Sequence, residues 1–309
     1  MNLIDSVQSK LLVECVNAFI RNMERTTTFA VAPAKIAFMV RRDQLMFDNA
    51  IFKITGKGDI KLEDFLKDAP EGVQEEASKQ AEEFFSQSEG RIKELTGHFG
   101  INYIEAVLDA ESRSSEAGTG MQESIDALFG SVVLGSWTAF ECLAADLWVI
   151  AVNNGPKEFR QKVQRSQHIK KRADSTSKMT PESELDPVSD YAGFLREERF
   201  VNFQTLPNIE KFYSILFDKK TITYLFESEP YISALAAVRN ILAHKGGIAD
   251  RTFESQAKEF PEFNKYKDGE ELKLDGSCVK RLNMAALVTG VVLITHIDGI
   301  LPNDTPTPP

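Results

Sequence analysis

Apolar residues recur at every third or fourth position over most of the chain, the spacing that lays one apolar stripe along an α-helix. Leu3, Val7, Leu11, Cys15, Ala18 and Asn22 mark a first helix over 3–25, with charged positions between them. Residues 34–60 are less regular, and Met46-Phe47 and Ile51-Phe52-Lys53-Ile54 fit a strand or a short helix equally. A helical, strongly acidic pattern returns over 61–95, and the small polar run 112–120 reads as a linker. The most apolar helix of the chain is predicted at 121–152. A basic stretch (157–172), a polar loop (173–190), helices near 190–201 and 207–227, and a helix at 229–244 follow. An irregular segment with Pro261 and Gly269 leads to a last helix over 277–298 and a frayed tail. Few segments alternate with period two, and no internal repeat is visible. The pattern predicts an all-α protein with an N-terminal helical region (1–119), a helical domain (120–301) and a disordered tail (302–309).

Composition adds bounds. With 309 residues the chain can bury a large core, and 42% hydrophobic with 27% charged residues is ordinary for a globular protein. A net charge of -10 argues against a protein that coats nucleic acid generally, although it leaves room for a local basic groove. Cys15, Cys142 and Cys278 lie far apart, which suggests neither a disulfide framework nor a zinc site; all three are expected to pack as small apolar residues. The first ten residues lack the basic cluster and apolar run of a secretory signal. Residues 284–301 tempt a membrane reading but are interrupted by Thr289, Gly290, His296 and Asp298. A core helix and a cytoplasmic protein, with no membrane partner, are the expectation.

The candidate chemistry concentrates in one run. Arg239-Asn240-Ile241-Leu242-Ala243-His244 is followed at once by Lys245-Gly246-Gly247, so a fixed cation, an amide and an imidazole gather at a helix end. Those groups can hold a phosphodiester and move protons around it without a metal. The bare spacing carries little, because Arg91 and His98 form a similar pair in an acidic, solvated setting. Context separates the two. Tyr231 to Val238 is a surface of apolar and small residues, and helical geometry puts Ala236, Arg239, Asn240 and Ala243 on one face. Glu141, within Gly135-Ser136-Trp137-Thr138-Ala139-Phe140-Glu141, shares a poorly solvated face with Trp137, Ala145 and Trp148 and needs a partner there. Arg239 or His244 is the first candidate for that partner, either as a plain ion pair between helices or as a group that also orients the site.

Arg239-Asn240-x-x-x-His244 resembles the signature of the HEPN superfamily, an Arg and a His separated by a short gap, often with a polar residue after the Arg. The likeness extends to Ser136–Glu141, to Phe203-Gln204-Thr205-Leu206-Pro207-Asn208-Ile209-Glu210, and to Gly246-Gly247-Ile248-Ala249-Asp250. These look like the bacterial HEPN group associated with ribonuclease L-like and stress-response proteins. The resemblance covers roughly 120–300, and residues 28–118 carry none. It implies an antiparallel helical bundle that dimerises, with the motif helices of two subunits meeting in one cleft. Active members are metal-independent endoribonucleases that need no cofactor. Carried onto this chain, Arg239 would bind the scissile phosphate, His244 would handle protons as the ribose 2′-hydroxyl attacks, and Asn240 would position one of these groups. A role in defence or as a toxin, with an antitoxin or regulatory partner, is implied by the same analogy. Other members of the superfamily only dimerise or bind a nucleotide or partner, which is the alternative expectation.

Lys157, Arg160, Lys162, Arg165, His168, Lys170, Lys171 and Arg172 run against a single acid, Glu158. Such a run is either a solvated helix face or, with Lys245, a phosphate-tracking surface for RNA. Of the remaining residues, Trp137, Trp148 and His296 read as core positions, and His168 as exposed.

Overall fold

The structure, a computed structural model, describes residues 7–28, 120–169 and 190–302. The expectations for 34–60, 61–95 and 112–119, the Arg91/His98 pair, Lys170, Lys171, Arg172 and the tail beyond 302 lie outside the described residues. The fold is all-α. Its helices are α1 (10–28), α2 (Gly120–Asn154), α3 (Lys157–Arg165), α4 (Tyr191–Glu197), α5 (Leu206–Leu216), α6 (Lys219–Glu227), α7 (Tyr231–Lys245), α8 (Arg251–Gln256) and α9 (Gly276–Asp298).

Helix starts follow local chemistry. Asp190, Thr205, Asp218, Asp250 and Asp275 each accept a hydrogen bond from a backbone N–H three residues on, satisfying an amide that the helix leaves without a partner. Asp218 explains one departure from expectation. The stretch 207–227 is two helices, because Phe217 is extended and the Asp218 carboxylate caps a new start at Thr221 N, 2.8 Å away. A second departure is α8, a short helix inside the segment expected to be irregular; Asp250 caps it at Phe253 N.

The chain divides into two compact units, Met1–Thr27 with Asp126–Pro309, and Thr28–Ile125. Helix α1, expected in an N-terminal region, therefore belongs to the unit that holds α3 to α9. The Asp298 carboxylate at the end of α9 accepts from Gln8 N (2.9 Å) and Ser9 N (2.8 Å). Further along, a Cβ on Gly290 would meet Phe19 of α1 and Leu143 of α2. Residue numbers rise along α1 as they fall along α9, so those two helices run antiparallel.

Helix α2 is apolar around most of its circumference and buries side chains from Leu128 to Val152. Tyr213 Oη donates to Ala144 O (2.9 Å) and Trp148 Nε1 to Phe212 O (3.0 Å), fixing α5 against its second half. Trp137, Phe140, Leu147 and Trp148 are fully buried along it. Among the described residues two helices are long and apolar enough to cross a membrane, the Asp126–Asn154 part of α2 and the whole of α9, and 61% and 50% of their most apolar windows are buried inside the protein. The sequence reading had singled out only the second. Cys15 and Cys278 are buried as expected, whereas Cys142 is exposed. The expectation for Cys142 is corrected: it lines an open cleft beside α2.

Candidate functional site

Helix α7 carries the Arg239–His244 run and is held at both ends. At its start, Tyr231 Oη donates to Glu262 Oε2 (2.9 Å) and accepts from Arg281 Nη1 of α9 (2.8 Å), while Arg281 pairs with Glu262 and stacks over the Tyr231 ring. At its end, Gly246 and Gly247 both take left-handed backbone, with φ of 60° and 84°, and both amides donate to Ile241 O. Only glycine adopts that region at little cost, so the chain leaves the helix immediately after Lys245. It then pairs with a second segment: Ala249 N donates to Glu270 O (2.8 Å) and Leu272 N to Gly247 O (2.8 Å). The helix end that carries His244 is thereby anchored.

On this frame Ile232, Leu235, Val238 and Ile241 point into the core, which turns the polar positions outward. Arg239 and Asn240 are half-buried, and Ala243, His244 and Lys245 are exposed. The Arg239 guanidinium carbon lies 6.0 Å from the centroid of the Trp137 ring of α2, within range of a cation–π contact. Among the described residues, Arg239 closes no ion pair, and Arg239, Asn240 and His244 make no side-chain hydrogen bond. A cation, an amide and an imidazole thus stand at one helix end with their polar valences open to a ligand.

Glu141 has a different first partner from the one expected. Its Oε2 accepts from Trp137 Nε1 at 2.9 Å, one helical turn away on the same helix, and neither Arg239 nor His244 bonds to it. Arg239 acts on it through space. Burial pushes the Glu141 carboxyl above its ordinary range, and the Trp137 hydrogen bond and the charges of Arg239 and Arg196 only partly pull it back. One indole therefore links the two groups, its N–H on Glu141 and its ring facing Arg239.

The basic stretch is only partly free. Arg160 lies over the Tyr191 ring at 5.1 Å, and Lys162 Nζ donates to Leu216 O (2.7 Å), capping the C-terminal end of α5. Phe159 and Val163 bury the other face of α3. Arg165 and His168 are exposed, Arg165 beside an open cleft of about 500 Å³ that also holds Asp218. Helix α3 packs on α5, and α5 meets α2 at Ala144 and Trp148, whereas Arg239 meets α2 at Trp137. At 1.5 Å per residue that places the two regions about 10–16 Å apart along α2. Arg160 and Lys162 are thus each engaged by a neighbour within the fold.

The structure adds a cleft that the sequence reading missed. Glu141 and Cys142 of α2 face Arg196, Arg199, Asn202 and Gln204 across a space of about 470 Å³. Arg199 is the non-glycine residue with positive φ, 60°, among the described residues, in the turn where Phe200 N and Val201 N both return to Leu195 O. Arg196 is fixed by an ion pair with Asp146. The Cys142 thiol is pushed above its usual range by burial of the sulfur and by Asp146 and Glu141, so it is a poor nucleophile. Gln204 belongs to a segment that carries the family resemblance, but no sequence signal joins it to Glu141. No protein-family model, curated protein or solved structure matches this chain.

Proposed function

We propose that the protein is a metal-independent endoribonuclease of the HEPN type, with its bundle forming a dimer in which two copies share one RNA-cleaving cleft. The observation that carries this reading is the state of the α7 end: Arg239 and Asn240 are half-buried, His244 is exposed, and none of the three spends its side chain on a hydrogen bond or ion pair among the described residues. The sequence resemblance supplies the chemistry. In this reading the Arg239 fork holds the non-bridging oxygens of the scissile phosphate and stabilises the charge that builds there. His244 takes the 2′-hydroxyl proton or returns one to the leaving 5′-oxygen, while Asn240 orients the phosphate. The products are a 2′,3′-cyclic phosphate and a 5′-hydroxyl. Lys245, exposed on the next position, adds charge to the path of the strand. Ile248, 40% exposed just beyond the glycines, is apolar surface that a second copy would cover.

Purified protein incubated with mixed RNA in excess chelator tests the proposal. The expected result is cleavage that survives chelation, leaves cyclic phosphate ends and falls by about 10²–10⁴-fold in His244→Ala. An RNA left intact under all conditions by a dimeric protein would replace this reading with that of a non-cleaving dimer that binds a nucleotide or a partner.

A further inference from the structure

The cleft beside Glu141 has a donor and acceptor pattern that selects one kind of ligand. Glu141 Oε2 is engaged by Trp137, which fixes the carboxylate and leaves Oε1 without a hydrogen bond among the described residues. Across the cleft, Asn202 Oδ1 accepts from Gln204 N (2.7 Å), and Asn202 Nδ2 donates to Gln204 Oε1 (3.2 Å). That turn orients the Gln204 amide, with Oε1 bonded to Asn202 and Nε2 left as a donor without a hydrogen bond among the described residues. Arg196 is tied to Asp146, but Arg199 closes no ion pair among the described residues. Phe203, 5% exposed, gives the cleft an aromatic wall.

A bare anion does not fit, because Glu141 repels it. The pattern asks for a flat group with donors toward a carboxylate, an acceptor toward an amide N–H, and a nearby negative charge for Arg199. Guanine answers it: its N1–H and N2 amino group face a carboxylate while O6 accepts from an amide. Adenine and cytosine present a ring nitrogen acceptor beside their amino group, which a carboxylate opposes. Uracil offers one donor flanked by two carbonyls. The position of Arg199 supports a binding role, since a left-handed residue after a helix is ordinarily glycine, and holding an arginine there strains the backbone.

We propose that this cleft receives a guanine base of the RNA strand, read by Glu141 and Gln204, with Arg199 on an adjacent phosphate. It rests on the endoribonuclease reading, because Glu141 joins the cleft through Trp137 to Arg239 and so places the base next to the scissile bond.

Calorimetry on the full chain with the 3′-monophosphates of guanosine, adenosine, cytidine and uridine tests it without requiring cleavage. Guanosine 3′-monophosphate is expected to bind at least about 10-fold tighter than the others, the scale of one hydrogen bond to a charged group. Glu141→Gln should remove most of that preference. Arg199→Gly should weaken all four nucleotides while leaving the thermal midpoint no lower than the parent's, so its loss of binding is not a loss of fold. Equal affinities, no binding, or a guanosine preference untouched in both variants would overturn the assignment. Cleavage of oligonucleotides with a single guanosine locates the source of the base. Scission beside that guanosine supports the strand, and binding with base-blind scission assigns the cleft to a free guanine nucleotide. Guanosine binding without any cleavage keeps the cleft and sinks the endoribonuclease; base-blind cleavage without nucleotide binding does the reverse.

Discussion

Gly290 lies where α9 crosses both α1 and α2, and replacing it with alanine sets two effects against each other. Alanine is better than glycine inside a helix by about 1 kcal/mol. Against that, the new Cβ would lie 2.5 Å from Phe19 Cζ, 2.8 Å from Phe19 Cε1 and 3.0 Å from Leu143 Cδ2. Carbon atoms settle at about 3.5–4.0 Å, so Phe19 must move by roughly 1 Å. It has no free direction, because Phe19 and Leu143 are each 2% exposed. Overpacking of this kind costs about 1–3 kcal/mol. With two buried neighbours the upper part of that range applies, and the net loss is about 1–2 kcal/mol. Urea unfolding followed by tryptophan fluorescence reads the effect, since both tryptophans of the chain, Trp137 and Trp148, lie in the unit that holds α1 and α9. Phe19→Leu in the Gly290→Ala background should recover part of the loss, giving a coupling of at least about 0.5 kcal/mol in a double-mutant cycle. If Gly290→Ala stabilises the protein, or the two changes simply add, the close crossing is wrong.

Gly246→Ala meets no atom within 4 Å, so its cost is backbone strain alone, about 1–2 kcal/mol by the same urea assay, and Gly246→Asn should cost less. For Glu141, the raised carboxyl means that, in a window just above 4.5, the folded protein holds a proton that the unfolded chain has released, and beyond that window both carry the carboxylate. Stability from this group is complete below its ordinary 4.5 and declines as pH rises through the window above it. The stability difference between the parent and Glu141→Gln, measured by urea titration across pH, should therefore shrink in the parent's disfavour as pH climbs from 4.5; a difference that grows in its favour would reverse the assignment of burial as the dominant cause. Thiol labelling should modify Cys142 in the native state, slowly, and reach Cys15 and Cys278 only on unfolding, because burial pushes both of those thiols up to about 12.

What the sequence makes legible are features settled within a turn or two. The helical class, the long apolar helix and the glycine stop after Lys245 are all local, and so are the caps at Asp190, Thr205 and Asp275. Asp218 shows the limit: apolar spacing continues from Ile209 through Leu225, and only the extended Phe217 reveals that a new helix begins. Glu141 shows another. Its need for a partner follows from its apolar setting, but which group answers depends on how α2 and α7 are rotated, and an indole one turn away answered first. The cleft was invisible because its lining joins α2 to residues 196–204, far apart in sequence, and includes Arg199 in a conformation that its residue type disfavours. Cys142 lines the same cleft, so its exposure too depends on how distant segments pack and not on spacing along α2.

The bonds from Asp298 to Gln8 and Ser9 span 290 and 289 residues. A ribosome delivers the chain in the N-to-C direction, so α1 emerges some 290 residues before the carboxylate that caps it. Until then Phe19 and its apolar neighbours on α1 lack the α9 surface they are built to cover, and the second unit, Thr28–Ile125, has been made in the interval. Long-range closures of this kind slow folding and prolong the exposure of apolar surface. Production of the protein is therefore expected to be sensitive to translation rate and chaperone supply in a way that its finished stability does not reveal.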